Sequence, residues 1–348
     1  MNDLVEDLGC YVLPGKAPSP VAGVEQAIEA ERIGLGAVWA SERWETKESG
    51  ALLGAIANAT SRIRLVTGTT HFGTRHPMVL AGMASTLQGL SGGRFEMGIA
   101  RSVVERWKKI GAPAQTNQSM ADMVSILKRL WAGETVSYSG PAGEFPEMLF
   151  ADLPDKITPI HLAAVGPKTL ALAGAHFDGV ILHPFLTPEG VARSAAIVRE
   201  AAQQAGRDPA SVRIIAAVVV APDLTPEETK AAVYVRATTY FVHREMATPI
   251  LKANGWDLKL LDPILATGLE DLEMQQVSLD VLRAKMAEAS ALIPPHWISE
   301  GSAVGSAVTV AARLMDYKGA GADEILLHGA TADKLEGLVN AYRRLRQG

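Results

Sequence analysis

The 348-residue sequence holds one cysteine, Cys10, set among apolar neighbours. A single thiol excludes an intrachain disulfide framework and any cluster built only on cysteine, and it suits a reducing compartment. Basic blocks are missing as well: 33 Lys and Arg stand against 38 Asp and Glu, a formal charge of −5 with no concentrated positive stretch. Sequence-independent nucleic-acid binding needs such a footprint, so nucleic acid is not an expected partner. No apolar run approaches the roughly 20 residues that span a bilayer. The start, "MNDLVEDLGC", lacks the basic end and long apolar stretch of a signal peptide. A cytoplasmic protein without a membrane partner is expected.

Chemical fingerprints are equally sparse. The segment "CYVLPGKAPSP" has no GxGxxG, which an open doubly wound nucleotide-binding sheet usually carries after its first strand. There is no GxSxG elbow for a serine hydrolase. His161 and His183 are possible ligands, but no H-x-H or D-x-H spacing accompanies them, so no catalytic metal is expected.

What is present is a rhythm. Eight short apolar runs recur, at 8–14, 36–41, 63–71, 94–100, 159–164, 179–184, 212–221 and 324–329. They are near-continuous rather than alternating, as parallel strands buried on both faces require. Helical segments lie between them. Thr187-Pro188-Glu189 and the capping box Thr225-Pro226-Glu227-Glu228 open two, and Ser119 is the expected cap of a third. Strand and helix alternate throughout, which predicts an α/β fold, a closed (β/α)8 TIM barrel formed by a single domain over residues 1–348. Two stretches break the repeat. Residues 132–158 read as a long loop or short hairpin between units four and five. Residues 226–300 read as a helical insertion between strands seven and eight, its apolar side chains covering the barrel mouth or a second subunit.

A barrel of this kind places its chemistry at the C-terminal strand ends. Those ends offer Glu42, Arg43 and Trp44; Thr70 and His71; Ala100, Arg101 and Ser102; Ala164, Val165, Gly166, Pro167 and Lys168; then His183 and His328. Lys168 is the odd one. A cation at a helix start is opposed by the macrodipole and becomes favourable once an anion sits there, so the Gly-Pro-Lys turn points to an anionic ligand.

The succession "AVWASERW", "TGTTHFGTRHP", "GRFEMGIARS" and "PIHLAAVGPKTLALAGAHFDGVIL" resembles the bacterial-luciferase-like superfamily, and within it the coenzyme F420 (deazaflavin)-dependent oxidoreductases. The resemblance runs in order over about residues 7–185 and returns at "AARLMDYKGAGADEILLHG". It implies a deazaflavin or flavin across the strand ends, held by Thr70, His71, Ala100, Arg101, Ser102 and Ala164 to Lys168, with hydride transfer to a small-molecule substrate and a homodimeric assembly. It further implies a non-prolyl cis peptide behind the ring, joining Thr70 to His71. Glu42, Arg43 and Trp44 stand at the catalytic positions.

The pattern departs at "SERW". Where sugar-phosphate-oxidising relatives place a histidine base, this chain has Arg43, which is always protonated and cannot act as a base. Their acid after strand four has no carboxylate counterpart near Val103. Arg43 and Arg101 therefore offer fixed positive charge to an anionic ring or an acidic substrate. The residues themselves do not separate F420 from FMN. An FMN-dependent monooxygenase, and a barrel that binds ligand without catalysis, stand as alternatives. An isomerase or aldolase would want a buried Lys or Glu at a strand end, where Glu42 is the one good candidate.

Overall fold

The computed structural model describes residues 3–14, 19–43, 46–101, 104–273 and 277–347. Eight parallel strands form a closed barrel: β1 (Val5–Val12), β2 (Leu35–Ala40), β3 (Arg64–Thr67), β4 (Phe95–Ile99), β5 (Ile160–Ala164), β6 (Gly179–Leu182), β7 (Arg213–Pro222) and β8 (Glu324–His328). Neighbours pair in chain order, β7 pairs with both β6 and β8, and β8 pairs with β1, so the main barrel has no open edge. The eight runs of the sequence are these eight strands.

Residues 136–148 make the antiparallel hairpin Val136–Gly140 and Gly143–Met148. The described residues of the 226–300 stretch are mostly helical, as expected, but the stretch is followed by a strand the sequence did not announce. Ser302–Gly305 extends the sheet by pairing with the far end of β7. Its tetrapeptide is short and half exposed, so it carries no apolar signal. The cap at 119 also shifts: the helix Asn117–Trp131 starts at Thr116, which exchanges a capping box with Ser119. Ser119 is thus the third residue of the helix, and its hydroxyl serves the Thr116 N–H instead of opening the helix.

Strand pleating sorts side chains to two sides. One set, including Leu8, Cys10, Val38, Leu65, Met97, Leu162 and Leu327, packs outward against the helices. The other set fills the barrel, with Ala37, Trp39, Val66, Ile181, Ile215, Ala217 and Leu326 at mid-height.

Below that apolar layer lies a charged one. Glu96 accepts from Arg213 at 2.7 Å and from Arg64 at 3.3 Å, and His161 Nε2 lies 2.8 Å from it. Arg64 also pairs with Glu324 at 2.9 Å. Burial alone would raise the Glu96 pKa, but His161, Arg64 and Arg213 outweigh it and hold the carboxyl well below the usual range. Burial pushes the neighbouring Glu324 carboxyl the other way. His161, a possible metal ligand in the sequence, is committed to this network. Among the described residues no group of three or more His, Cys, Asp or Glu is placed to hold a metal, and no helix is long and apolar enough to cross a membrane.

Replacing Glu96 by Ala would remove the carboxylate shared by Arg64, Arg213 and His161 and leave the two arginines to Glu324, and a loss of up to about 3–5 kcal/mol is expected in urea unfolding at neutral pH. The contribution of Glu96 is complete above the ordinary carboxyl value of 4.5. It fades as pH falls below that value, because the unfolded chain takes up the proton first. The gap between wild type and variant should therefore narrow in acid; a gap that is constant with pH would refute this account.

Candidate functional site

The C-terminal rim gathers most of the residues that the sequence singled out, in two groups. The first is built around Glu42, which is buried directly after β2. The Thr70 hydroxyl donates to it, and Arg75 grips both of its oxygens. Arg75 also donates to Thr70 Oγ1 at 2.8 Å and pairs with Glu48, which caps the helix Ser49–Ala59 through Gly50 and Ala51. An arginine fork on a carboxylate is a strong, oriented pair. Glu42 is thus a fixed counter-ion that ties the ends of β2 and β3 together, and its partner is Arg75 rather than the adjacent Arg43. Nothing local in the sequence links Arg75 to a carboxylate 33 residues away.

Thr70 is held in register by Thr70 N–H to Gly98 O at 2.9 Å and Ala100 N–H to Thr70 O at 3.0 Å. His71 Nδ1 lies 2.9 Å from the Ala100 carbonyl. The non-prolyl cis bond does not join Thr70 to His71. It joins Gly68 to Thr69, where the backbone passes so close to Tyr11 and Trp39 that a Cβ on residue 68 would lie 2.9 Å from the Tyr11 ring. Position 70, by contrast, meets Ile99 of β4 in an isolated parallel bridge beyond the end of β3. Arg101 is exposed and donates to Asn117 at 3.1 Å. Ala164 points outward into the helix-packing layer, whereas Ala163 lines the barrel interior. Trp44 and Ser102 lie outside the described residues.

The Gly166 turn has the properties asked of an anion site. The helix Pro167–His176 starts with no side-chain cap and no acidic residue in its first turn. Nothing lies within 4 Å of where a Gly166 Cβ would be. Lys168 is exposed beside it. By contrast, the helix Pro188–Gln204 after β6 is closed by the Thr187 hydroxyl on Gly190. Backbone N–H groups left open at such a turn suit a phosphate.

The second group occupies the centre of the mouth, on β1, β6, β8 and the insertion. Tyr11 packs on His328 with ring centroids 4.6 Å apart, and Tyr240 packs edge-on against His183 at the same 4.6 Å. Tyr240 Oη is 3.5 Å from His328 Nε2. Tyr240 comes from the insertion, which therefore does cover the mouth. The Pro184 carbonyl accepts from His183 Nδ1 at 2.9 Å, so Nδ1 carries the proton and Nε2 keeps its lone pair. Burial brings the His183 pKa down from 6.5 to about 4. Burial, followed by the charges of Arg236, Arg43, His183 and Lys47, holds His328 well below its ordinary value. Burial likewise keeps the Tyr11 hydroxyl protonated. At neutral pH the mouth thus combines neutral imidazoles that accept and hydroxyls that donate, a set able to hand a proton to or from a bound substrate. His328 Nδ1 is buried with no hydrogen-bond partner.

A cleft of about 620 Å³ opens at the opposite, N-terminal end, lined by Lys128, His161, Asp178 and Arg213 among others. Its charges already pair internally, Lys128 with Asp178 at 2.8 Å and both His161 and Arg213 with Glu96. The uncommitted chemistry is at the mouth.

Residues 10–324 match the luciferase-like monooxygenase family. In sequence the chain is 29% identical over 232 residues to 5,10-methylenetetrahydromethanopterin reductase of Methanolobus tindarius, covering 66% of this chain and 69% of the relative. It is 30% identical over 204 residues to F420-dependent hydroxymycolic acid dehydrogenase of Mycobacterium tuberculosis, covering 54% of this chain and 56% of that one. With the latter, the match spans little more than half the relative's length. The coenzyme F420-dependent tetrahydromethanopterin reductase of Methanopyrus kandleri superposes with a TM-score of 0.80 at 19% identity, over 99% of both chains.

Two outcomes follow from this geometry. Arg75→Met should strand the Glu42 carboxylate and cost about 3–5 kcal/mol of stability, most of it recovered in the Arg75→Met, Glu42→Gln double variant; additive losses would mean the two are not coupled. Because the His183 pKa is lowered on folding, its stabilising contribution is present above pH 6.5 and is lost as pH falls toward about 4. Thermal unfolding of His183→Gln should show a shallower acid slope across that window, and an unchanged slope would rule His183 out as its source.

Proposed function

Because the chain belongs to the luciferase-like monooxygenase family, we propose that this oxidoreductase uses coenzyme F420 to move a hydride to or from an organic substrate. The observation that carries the cofactor branch is that the sequence matches reach a methylenetetrahydromethanopterin reductase and an F420-dependent dehydrogenase, enzymes of reduction and dehydrogenation rather than oxygenation. The uncapped turn at Gly166 and the exposed Lys168 fit the phosphate of such a cofactor. Ala163 keeps the nearby barrel wall low, in keeping with a flat ring. Bound there, F420 supplies a ring carbon that accepts or donates hydride.

The rest falls to the chain's own residues. Thr70, fixed by Glu42 and Arg75, and the Ala100 backbone shape the wall on the β3–β4 side. Tyr11, Tyr240 and His183 face the mouth from the other side, where a hydroxyl donates to a substrate oxygen and the His183 Nε2 lone pair accepts a proton. Phe185, Phe241, Trp256 and Trp297 pack together beneath Tyr240 and seat the covering helix. This cover excludes water from the reaction. Glu42 holds its neighbours in place and is not the proton carrier, and Arg43 contributes charge.

Fluorescence titration with F420 and, separately, with FMN tests the reading. F420 should bind at least as tightly as FMN, and Lys168→Ala should weaken it roughly tenfold, the worth of one charge-assisted hydrogen bond of about 1.5 kcal/mol. Preference for FMN would instead support the oxygen-activating alternative. Unchanged affinity in Lys168→Ala would remove the turn as the phosphate anchor.

A further inference from the structure

The strand end that presents His183 runs into a turn that its own residues do not favour. β6 stops at Leu182, and His183-Pro184-Phe185-Leu186-Thr187 lead from it to the helix Pro188–Gln204. Phe185 has φ +66°, a left-handed conformation that a bulky side chain keeps only where its surroundings enforce it. That angle orients the peptide between Pro184 and Phe185. The Pro184 carbonyl of this peptide is the group that accepts from His183 Nδ1 at 2.9 Å. Whatever holds Phe185 left-handed therefore aims the acceptor that keeps the proton on Nδ1.

The grip comes from the insertion. Asn254 is the last residue of the helix Arg244–Asn254. Its Nδ2 donates to the Phe185 carbonyl at 2.8 Å, and its Oδ1 accepts from the Thr187 N–H at 2.9 Å. One amide thus meets a carbonyl and an N–H of the turn together, which neither a carboxylate nor an apolar side chain can do. Room is left for it, since a Cβ at Gly190 would overlap Asn254 Oδ1. The helix end is pinned in its turn by Arg193 Nε, which donates to the Ala253 carbonyl at 2.8 Å. A separate anchor from outside the insertion, Tyr317 Oη, donates to the Leu186 carbonyl at 2.9 Å. The cover also reaches the turn by packing. A π-helical turn, Lys230–Tyr234, precedes the helix Val235–Phe241 and resets its phase. Tyr240 and Phe241 of that helix lie against the buried Phe185 ring, with centroids 6.2 and 5.5 Å away.

From this chain of contacts we infer that Asn254 is a positioning residue: through the Phe185 turn it fixes the Nδ1–H tautomer of His183 and so keeps the Nε2 lone pair available at the mouth. Asn254 acts through two backbone groups, the Phe185 carbonyl and the Thr187 N–H, and not on the imidazole itself. The insertion then has a second task besides covering the mouth, because the tautomer of His183 depends on the helix Arg244–Asn254 being docked. With the amide removed, Phe185 is free to return to negative φ, the Pro184 carbonyl turns away, and Nδ1–H loses its acceptor. The proton then occupies either ring nitrogen, and the imidazole offers a donor to the mouth as well as an acceptor. That Nε2 takes a proton from a substrate rests on the hydride-transfer reading; the control of the tautomer does not.

Proton–nitrogen correlation spectra of the full-length protein, with isotope-labelled histidine rings and at neutral pH, read the tautomer directly. The His183 signals are identified as those missing in His183→Gln. Wild type should show a proton-bearing Nδ1 and a bare Nε2. Asn254→Asp keeps the acceptor for Thr187 and loses the donor to Phe185; Asn254→Ala loses both. In each the single Nδ1–H pattern of His183 should be lost to a mixture, while the signals of the other histidines stay and report that the barrel is folded. Tyr317→Phe frees the neighbouring Leu186 carbonyl alone and should keep the wild-type pattern. Should the Asn254 variants not fold, Gly190→Ala displaces the amide without removing it and should give the same mixture. A wild-type proton on Nε2, or an unchanged Nδ1–H pattern in the folded variants, would overturn the assignment. Equal loss in Tyr317→Phe would do so too, since any loosening of the turn would then suffice. Failure of F420 to bind, with the Asn254-dependent tautomer intact, would instead overturn the cofactor reading and leave this one standing.

Discussion

A closed parallel barrel admits one side chain in every two from each strand to its interior, and the height of that side chain is set by the strand's register. Everything chemical in this molecule follows from that restriction. On β8 the inward positions are Glu324, Leu326 and His328, which read upward as charge, hydrocarbon and imidazole. On β6 they are Gly179, Ile181 and His183, and on β3 Arg64, Val66 and Gly68. The middle member is hydrocarbon on all three, because the walls rise together. A charged floor, an apolar waist and a polar mouth are stacked within a single fold.

The floor and the mouth handle charge in opposite ways. Arg64 and Arg213 below meet Glu96 and Glu324, so attraction offsets much of the cost of taking these groups out of water. Above, the Glu42–Arg75 pair sits at the β2–β3 margin, where it fixes loops, and the centre of the mouth holds neutral histidines.

Much of the scaffold was legible beforehand for a simple reason. Strands buried on both faces leave unbroken apolar runs, and "GVIL" or "EILLH" needs no tertiary knowledge to read. Thr187 and Thr225 announced their helices because capping is local. The Gly166-Pro167-Lys168 turn stood out because a cation at a helix start contradicts the local rule. The site was less legible wherever its meaning depends on distance. Arg75 reads as a loop residue until Glu42 is brought to it. Tyr11 is unremarkable until β1 and β8 bring it onto His328 at the mouth. Tyr240 lay within a stretch whose π-helical turn, and hence whose facing, has no signature in the composition. Ser302–Gly305 was missed because four half-exposed residues give no periodicity.

The helix that carries Tyr240 is an insertion between β7 and β8, and the barrel closes without it through direct β7–β8 pairing. The cover over the mouth is therefore separate from the parts that hold the fold. Selection acting on this segment can exchange the reach or shape of the cover without disturbing a single strand register. The lineage is thereby free to diversify its substrates while the floor of the barrel stays the same.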